Sequence, residues 1–150
     1  MKKLVVAIAI VMSMFSINIL AQNESVTYKV TNYSINGINY DNLALEGDIA
    51  LSFYMCENNS PCFANVWRNK NSQSYGGVYS FKTNDIAETE TTYAAKEFTF
   101  TWQYFNSYDS DNGEAKVSIT QIYIGSTVKF EAEIVLMGKN EILLLKGYLE

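Results

Sequence analysis

Histidine is absent from the 150-residue sequence, and so are runs of basic residues. Without histidine the chain has no Ser-His-Asp or Cys-His catalytic group, no imidazole metal ligand and no side chain that normally titrates near neutral pH. With 16 acidic residues against 11 basic ones, it repels phosphate backbones, so nucleic acid is not an expected partner. We therefore predict a protein that is not an enzyme and carries no metal ion or cofactor.

Cysteine occurs only twice, as Cys56 and Cys62 in the segment CENNSPC. Two thiolates without histidine make a poor metal cage, and the spacing differs from the C-x-x-C of redox pairs. The Asn, Ser and Pro residues between them favour a turn that brings the two sulfurs together. We predict a structural disulfide between Cys56 and Cys62, which belongs in an oxidising compartment.

The N-terminal segment has the order of a cleavable export signal. Lys2 and Lys3 precede the unbroken apolar run Leu4–Met12, and a more polar stretch then ends at Ala21. A membrane span would need roughly 20 predominantly apolar residues. We predict a signal peptide over residues 1–21 and a single secreted or periplasmic domain over residues 22–150, without a membrane span. Without Lys2 and Lys3, this domain has a net charge of −7.

Apolar and polar residues alternate with a period of two along most of the remaining chain, which is typical of β-strands. The clearest predicted strands are Leu43–Met55, Phe98–Tyr104 and Val128–Leu136. Gly47, inside the first of them, is expected to mark a bend or a bulge. One apolar and one polar face per strand is typical of an antiparallel sheet that is covered on one side. The residues predicted to point inward are Leu51, Phe53, Phe100, Trp102, Phe130 and Ile134.

Turn-forming residues separate the predicted strands. Asn36-Gly37 and Gly125-Ser126 are typical hairpin turns. The segment YDSDNGE resembles a calcium loop, but Gly113 stands where the third ligand belongs, so we predict a hairpin tip at Asn112-Gly113 instead. The segment Ala87–Lys96 fits either a strand or one helical turn. The count is eight strands, or nine if Glu88–Tyr93 forms one.

Consecutive strands joined by short hairpins favour an antiparallel up-and-down meander, and a meander of this length removes its edges by closing into a barrel. A two-sheet β-sandwich is the alternative. In strand order, size and export signal, the chain resembles the small secreted lipocalin-like (calycin-type) barrels of bacteria. That resemblance implies an all-β barrel of eight or nine strands. The Gly-x-Trp of that family near the first strand is missing from this sequence.

An eight-stranded barrel either fills its interior with side chains or holds one small ligand, and the sequence leaves both open. Buried Trp and Tyr side chains carry polar atoms that need partners, which favours a cavity with a few polar contacts. The first functional hypothesis is an exported, non-catalytic protein that binds a small, mostly apolar ligand inside the barrel. The candidate ligand-binding residues are Leu51, Phe53, Phe98, Phe100, Trp102, Tyr104 and Phe130.

The alternative hypothesis is a protein–protein interaction module that uses its outer loops. Trp67, Tyr75 and Tyr79 flank a turn rich in amide and hydroxyl side chains, and aromatic residues of this kind often anchor interfaces. The segments Tyr54-Met55-Cys56 and Ser74–Tyr79 also resemble those of periplasmic C-type lysozyme inhibitors. This resemblance implies a lysozyme-type enzyme as the protein partner, and the acidic charge would suit a basic one. A cell-surface component is the other form of this hypothesis.

Overall fold

The computed structural model describes residues 25–56, 61–69 and 72–150, with the backbone alone described for residues 67–69. The predicted signal peptide lies outside these residues. The chain is all-β, apart from one short helix in the described part, α1 (Asp41–Gly47). The strands in chain order are β1 (Ser25–Ile35), β2 (Ile38–Asn39), β3 (Ala50–Met55), β4 (Pro61–Asn69), β5 (Ser72–Ile86), β6 (Ala95–Asn106), β7 (Asp111–Ile124), β8 (Thr127–Leu136) and β9 (Glu141–Leu149).

Eight of the nine strands close into an antiparallel barrel. Their order in the sheet is β1-β3-β4-β5-β6-β7-β8-β9, and β1 pairs with β9 to close the ring, while β2 adds only a short hairpin to β1. Closure brings the first and last strands close together at Gly147, where a Cβ would collide with the carbonyl oxygen of Lys29. The predicted closed meander is therefore confirmed, and the sandwich alternative is wrong.

The barrel interior is packed with the apolar row of each strand. All six residues predicted to point inward are no more than 6% exposed. Aromatic rings contact one another across the interior, with centroids 4.7 Å apart for Tyr28 and Phe130 and 5.5 Å apart for Phe53 and Phe100. Edge-to-face and tilted contacts of this kind add to the free energy gained from burying apolar area.

The prediction of a strand over Leu43–Met55 is wrong in its first half. Residues 41–47 form α1, and β3 begins only at Ala50. Within the helix, Ala44 is fully buried, whereas Leu45, which belongs to the apolar row of the predicted strand, is 69% exposed. Ala44 packs against the core from this helix, and an alternating pattern does not predict a contact of this kind.

Local hydrogen bonds fix where this helix begins and ends. The carboxylate of Asp41 accepts hydrogen bonds from the backbone N–H of Tyr33 at 2.9 Å and from the side-chain amides of Asn32 at 3.0 Å and Asn39 at 2.8 Å. Asp48 adopts a left-handed conformation, with φ of 51°, and ends the helix. The bend predicted at Gly47 is therefore made one residue later, by Asp48.

Two further predictions, both on connections between strands, are wrong. The hairpin tip was predicted at Asn112-Gly113, but these two residues belong to β7 and the turn lies at residues 107–110. Ser110 supplies the left-handed conformation of this turn, with φ of 58°. Residues 87–94 form neither the strand nor the helical turn considered above, and the ninth strand is β2. The hydroxyl of Thr89 instead accepts hydrogen bonds from the backbone N–H groups of Thr91 and Thr92, which makes a local turn.

The barrel has two dissimilar ends. The disulfide end carries the end of β3, the start of β4, residues 87–94 and the Gly125-Ser126 turn. The helix end carries α1 and the turns at residues 107–110 and 137–140. Because alternate strands run in opposite directions, every connection lies at one end or the other.

Candidate functional site at the disulfide end of the barrel

A disulfide joins the end of β3 to the start of β4. Cys56 and Cys62 are bonded, with their Cα atoms 5.7 Å apart, so the predicted pair is confirmed. The neighbouring residues Met55 and Pro61 both line a cavity at this end of the barrel. The disulfide therefore ties together two strands that form one side of the cavity.

The cavity at the disulfide end has a volume of about 100 Å³ and an almost wholly apolar lining. Three of the seven predicted ligand-binding residues line it: Phe53, Phe98 and Phe100. The other four, Leu51, Trp102, Tyr104 and Phe130, are buried but do not line this cavity. The remaining lining residues are Val26, Tyr28, Met55, Pro61, Phe81, Ile119 and Gln121.

Phe81 forms part of the aromatic wall, although it is not among the predicted ligand-binding residues. Its ring centroid lies 5.8 Å from that of Phe98 and 6.5 Å from that of Phe100. Its inward position depends on a β-bulge, because the register of β5 on β6 shifts between Tyr79 and Lys82 and Ser80 has a φ of 57°. A bulge places two residues opposite one and reverses the alternation beyond it.

A short hydrogen-bonded chain borders the apolar wall. The side-chain amide of Gln121 donates to the hydroxyl of Tyr28, and its carbonyl oxygen accepts from the hydroxyl of Tyr123 at 3.0 Å. Burial raises the pKa of Tyr28 to about 12, so its hydroxyl stays protonated and able to donate. Gln121 interrupts the inward row Ala115, Val117 and Ile119, and that interruption was the available signal for a polar group in the cavity.

The helix end carries a second, more polar hollow of about 310 Å³. Its lining residues are Tyr33, Ile49, Val66, Ser72, Gln73, Ser74, Asn106, Tyr108, Asp109, Leu143 and Leu145. Beside it, Asp111 pairs with Lys139 and also accepts a hydrogen bond from the hydroxyl of Tyr104 at 3.4 Å. The Lys139 ammonium holds the pKa of Asp111 below its usual value, so this cluster is already internally paired at neutral pH.

Two of the three predicted partner-binding residues, Tyr75 and Tyr79, lie on the outside of the barrel. Tyr75 belongs to a row of four rings on neighbouring strands, Tyr54, Phe63, Tyr75 and Phe105, whose successive centroids are 5.7, 6.2 and 5.7 Å apart. Tyr79 lies further along β5, where its hydroxyl donates to Glu114. The side chain of Trp67 lies outside the described residues.

Across residues 25–56, 61–69 and 72–150, no three His, Cys, Asp or Glu side chains come together as metal ligands. In the same part of the chain, no helix has the length and apolar character needed to cross a membrane. Comparison with family models, curated proteins and solved structures finds no match for this chain.

Proposed function

We propose that this protein is an exported binding protein that takes up the apolar part of a small ligand at the disulfide end of the barrel. The observation that supports it is the cavity of about 100 Å³ lined by Phe53, Phe98 and Phe100, which is almost wholly apolar, whereas the larger hollow at the helix end is about half polar. A concave apolar site with a few convergent polar groups is the usual form of a small-molecule site. The disulfide is compatible with an exported protein.

The size of the cavity restricts the ligand. An engineered cavity of about 150 Å³ holds one benzene molecule, so a cavity of about 100 Å³ accommodates a smaller group, such as the end of an alkyl chain. The rest of the ligand would lie at the rim, beside Met55 at the end of β3 and Pro61 at the start of β4. The hypothesis of a ligand enclosed by the whole interior thus becomes a hypothesis of a ligand inserted at one end.

Calorimetric titration with 1-octanol tests this proposal. Val26 lines the cavity, and Val66 lines the hollow at the helix end; both are partly buried against the core. Val26→Phe should fill the cavity and abolish the heat of octanol binding. Val66→Phe adds the same ring at the other end and should leave binding unchanged. Octanol binding that is absent from the wild type, or that survives Val26→Phe and is lost in Val66→Phe, would overturn the proposal.

A second candidate function is the interaction module, and the outer row of four rings favours it. Tyr54 is 38% exposed at one end of this row, and the net charge of −7 would attract a basic protein. We propose a basic lysozyme-type enzyme as the partner in this case. The test is lysozyme activity with the protein in excess, using Tyr75→Ala as the variant and Tyr148→Ala, an exposed tyrosine on β9, as the control. Full lysozyme activity beside the wild-type protein would rule out the inhibitor.

A further inference from the structure

The rim of the cavity carries a polar row that runs across three neighbouring strands. Asp85 of β5 is paired in register with Lys96 of β6, and Lys96 with Gln121 of β7. Residues directly opposite in an antiparallel ladder project to the same face of the sheet, and Gln121 lines the cavity. All three side chains therefore lie on the inward face at the disulfide end.

Lys96 lies just outside the apolar wall. It precedes Phe98 by two residues on the same strand face, which places it roughly 7 Å further toward the rim. Its side chain is 37% exposed, and its ammonium lies 3.5 Å from the carboxylate of Asp85, which is 79% exposed. Direct charge-assisted hydrogen bonds are about 2.7–2.9 Å long, so this ion pair is loose and accessible to a competing anion.

The unused hydrogen-bonding capacity around the cavity is mainly that of donors. In the described part of the chain, the Tyr28 hydroxyl accepts from Gln121 but its own proton has no acceptor. The second N–H of the Gln121 amide also has none, since only one donated bond is formed. With the Lys96 ammonium, these groups can serve a ligand whose polar end accepts hydrogen bonds.

We infer that the ligand is an alkyl carboxylate, with its apolar end in the cavity and its carboxylate at the rim against Lys96. The inference rests on the proposed function, because it names the ligand class of the same site. The exposed carboxylates of Glu88 and Glu90 lie on the connection from β5 to β6 at the same end and reduce the preference for an anion, so the test is made at physiological ionic strength, where salt screens exposed charges.

The test compares octanoate, 1-octanol and octylammonium by calorimetric titration at neutral pH and matched ionic strength. The variants are Lys96→Gln, which removes the cation, and Asp85→Asn, which removes its competitor. Lys82→Gln is the matched control, because Lys82 lies on the outer face of β5, exposed and opposite Thr99. Circular dichroism melting of each variant checks that it is folded.

The inference predicts that octanoate binds more tightly than the other two ligands. Lys96→Gln should weaken octanoate binding about fivefold and leave octanol binding unchanged, while Asp85→Asn should strengthen octanoate binding about twofold, as expected for exposed ion pairs. Lys82→Gln should change neither. If octanol or octylammonium binds as tightly as octanoate, or if Lys96→Gln has no effect, the head group is wrong although the apolar site stands. If none of the three ligands binds, the proposed function itself fails.

Discussion

The two ends of the barrel differ in how their polar groups are used. At the helix end, the carboxylate of Asp41 accepts three donors and that of Asp111 pairs with Lys139, so the loops satisfy one another. At the disulfide end, the Tyr28 hydroxyl and the Gln121 amide retain donors that no described residue uses, beside an apolar cavity. Both ends belong to the same eight-stranded barrel, so the difference in hydrogen bonding comes from the connections between the strands. The contrast concerns the loops, because the buried indole N–H of Trp102, in the half of β6 nearer the helix end, also has no hydrogen-bond partner among the described residues.

The largest effects are expected when one core side chain is truncated at each end of the barrel, and octanol binding should distinguish the two ends. Phe100→Ala at the cavity and Leu145→Ala beside the helix-end hollow should each lower the free energy of unfolding by about 2–5 kcal/mol, because both side chains are buried. Phe100→Ala also enlarges the cavity, so it should tighten octanol binding, whereas Leu145→Ala should not. Urea denaturation and calorimetry measure the two effects, with Phe100→Leu as a milder variant. Equal effects on octanol binding would remove the distinction between the ends.

Alkaline pH should reveal the buried phenol at the disulfide end. The pKa of Tyr28 is about 12 in the folded protein and about 10 in an unfolded chain. Its stabilising effect is complete below pH 10 and is lost as the pH rises from 10 to 12, in total about 3 kcal/mol. Denaturation at a series of pH values should show this loss, and Tyr28→Phe should remove it. A wild-type slope that persists in Tyr28→Phe but vanishes in Tyr108→Phe would contradict the assignment.

Removing the disulfide should have an intermediate effect. Replacing Cys56 and Cys62 together by serine should cost about 2 kcal/mol, as expected when so short a loop is released in the unfolded chain. Because Met55 and Pro61 lie beside the cysteines and line the cavity, octanol binding should weaken as well. The matching change at the helix end, Lys139→Gln, should leave octanol binding unaltered. Unchanged octanol affinity in the double serine variant would show that the disulfide does not shape the cavity.

The smallest effect is expected from Asp41, which is partly buried at the helix end. Hydrogen bonds from Asn39, Tyr33 and Asn32 hold the pKa of its carboxyl below the usual value. A carboxyl with a lowered pKa stabilises the fold above its unfolded pKa of about 4, and this stabilisation is lost as the pH falls through the folded value. Asp41→Asn should therefore reduce the acid sensitivity of unfolding and leave octanol binding unaltered. A change in octanol affinity would mean that α1 and the cavity are coupled.

The strands with strict alternation could be predicted from the sequence. Phe98–Tyr104 and Val128–Leu136 have the predicted faces, because in a regular ladder the apolar row must face the core. The predictions failed where a single local interaction decides the conformation. Asp41 begins a helix inside an alternating pattern, and the left-handed Ser80 turns Phe81 into the cavity.

The candidate site was predictable only in part. Phe53, Phe98 and Phe100 were named because they belong to inward rows. Where an inward row leaves a void rather than a packed layer depends on which side chains meet across the barrel. Which side chains meet is set by the register between strands and by bulges, and neither can be predicted from the spacing of residues along one strand. The ligand role of these three residues therefore stays a prediction.

The most direct test of the binding site is backbone amide NMR of the purified protein during titration with 1-octanol. Saturable shift changes are expected at the disulfide end, at Val26, Met55, Phe98 and Gln121, with little change at Ile49, Val66 and Leu143 of the helix end. Changes concentrated at the helix end, or none at ligand concentrations approaching the solubility of octanol, would contradict it.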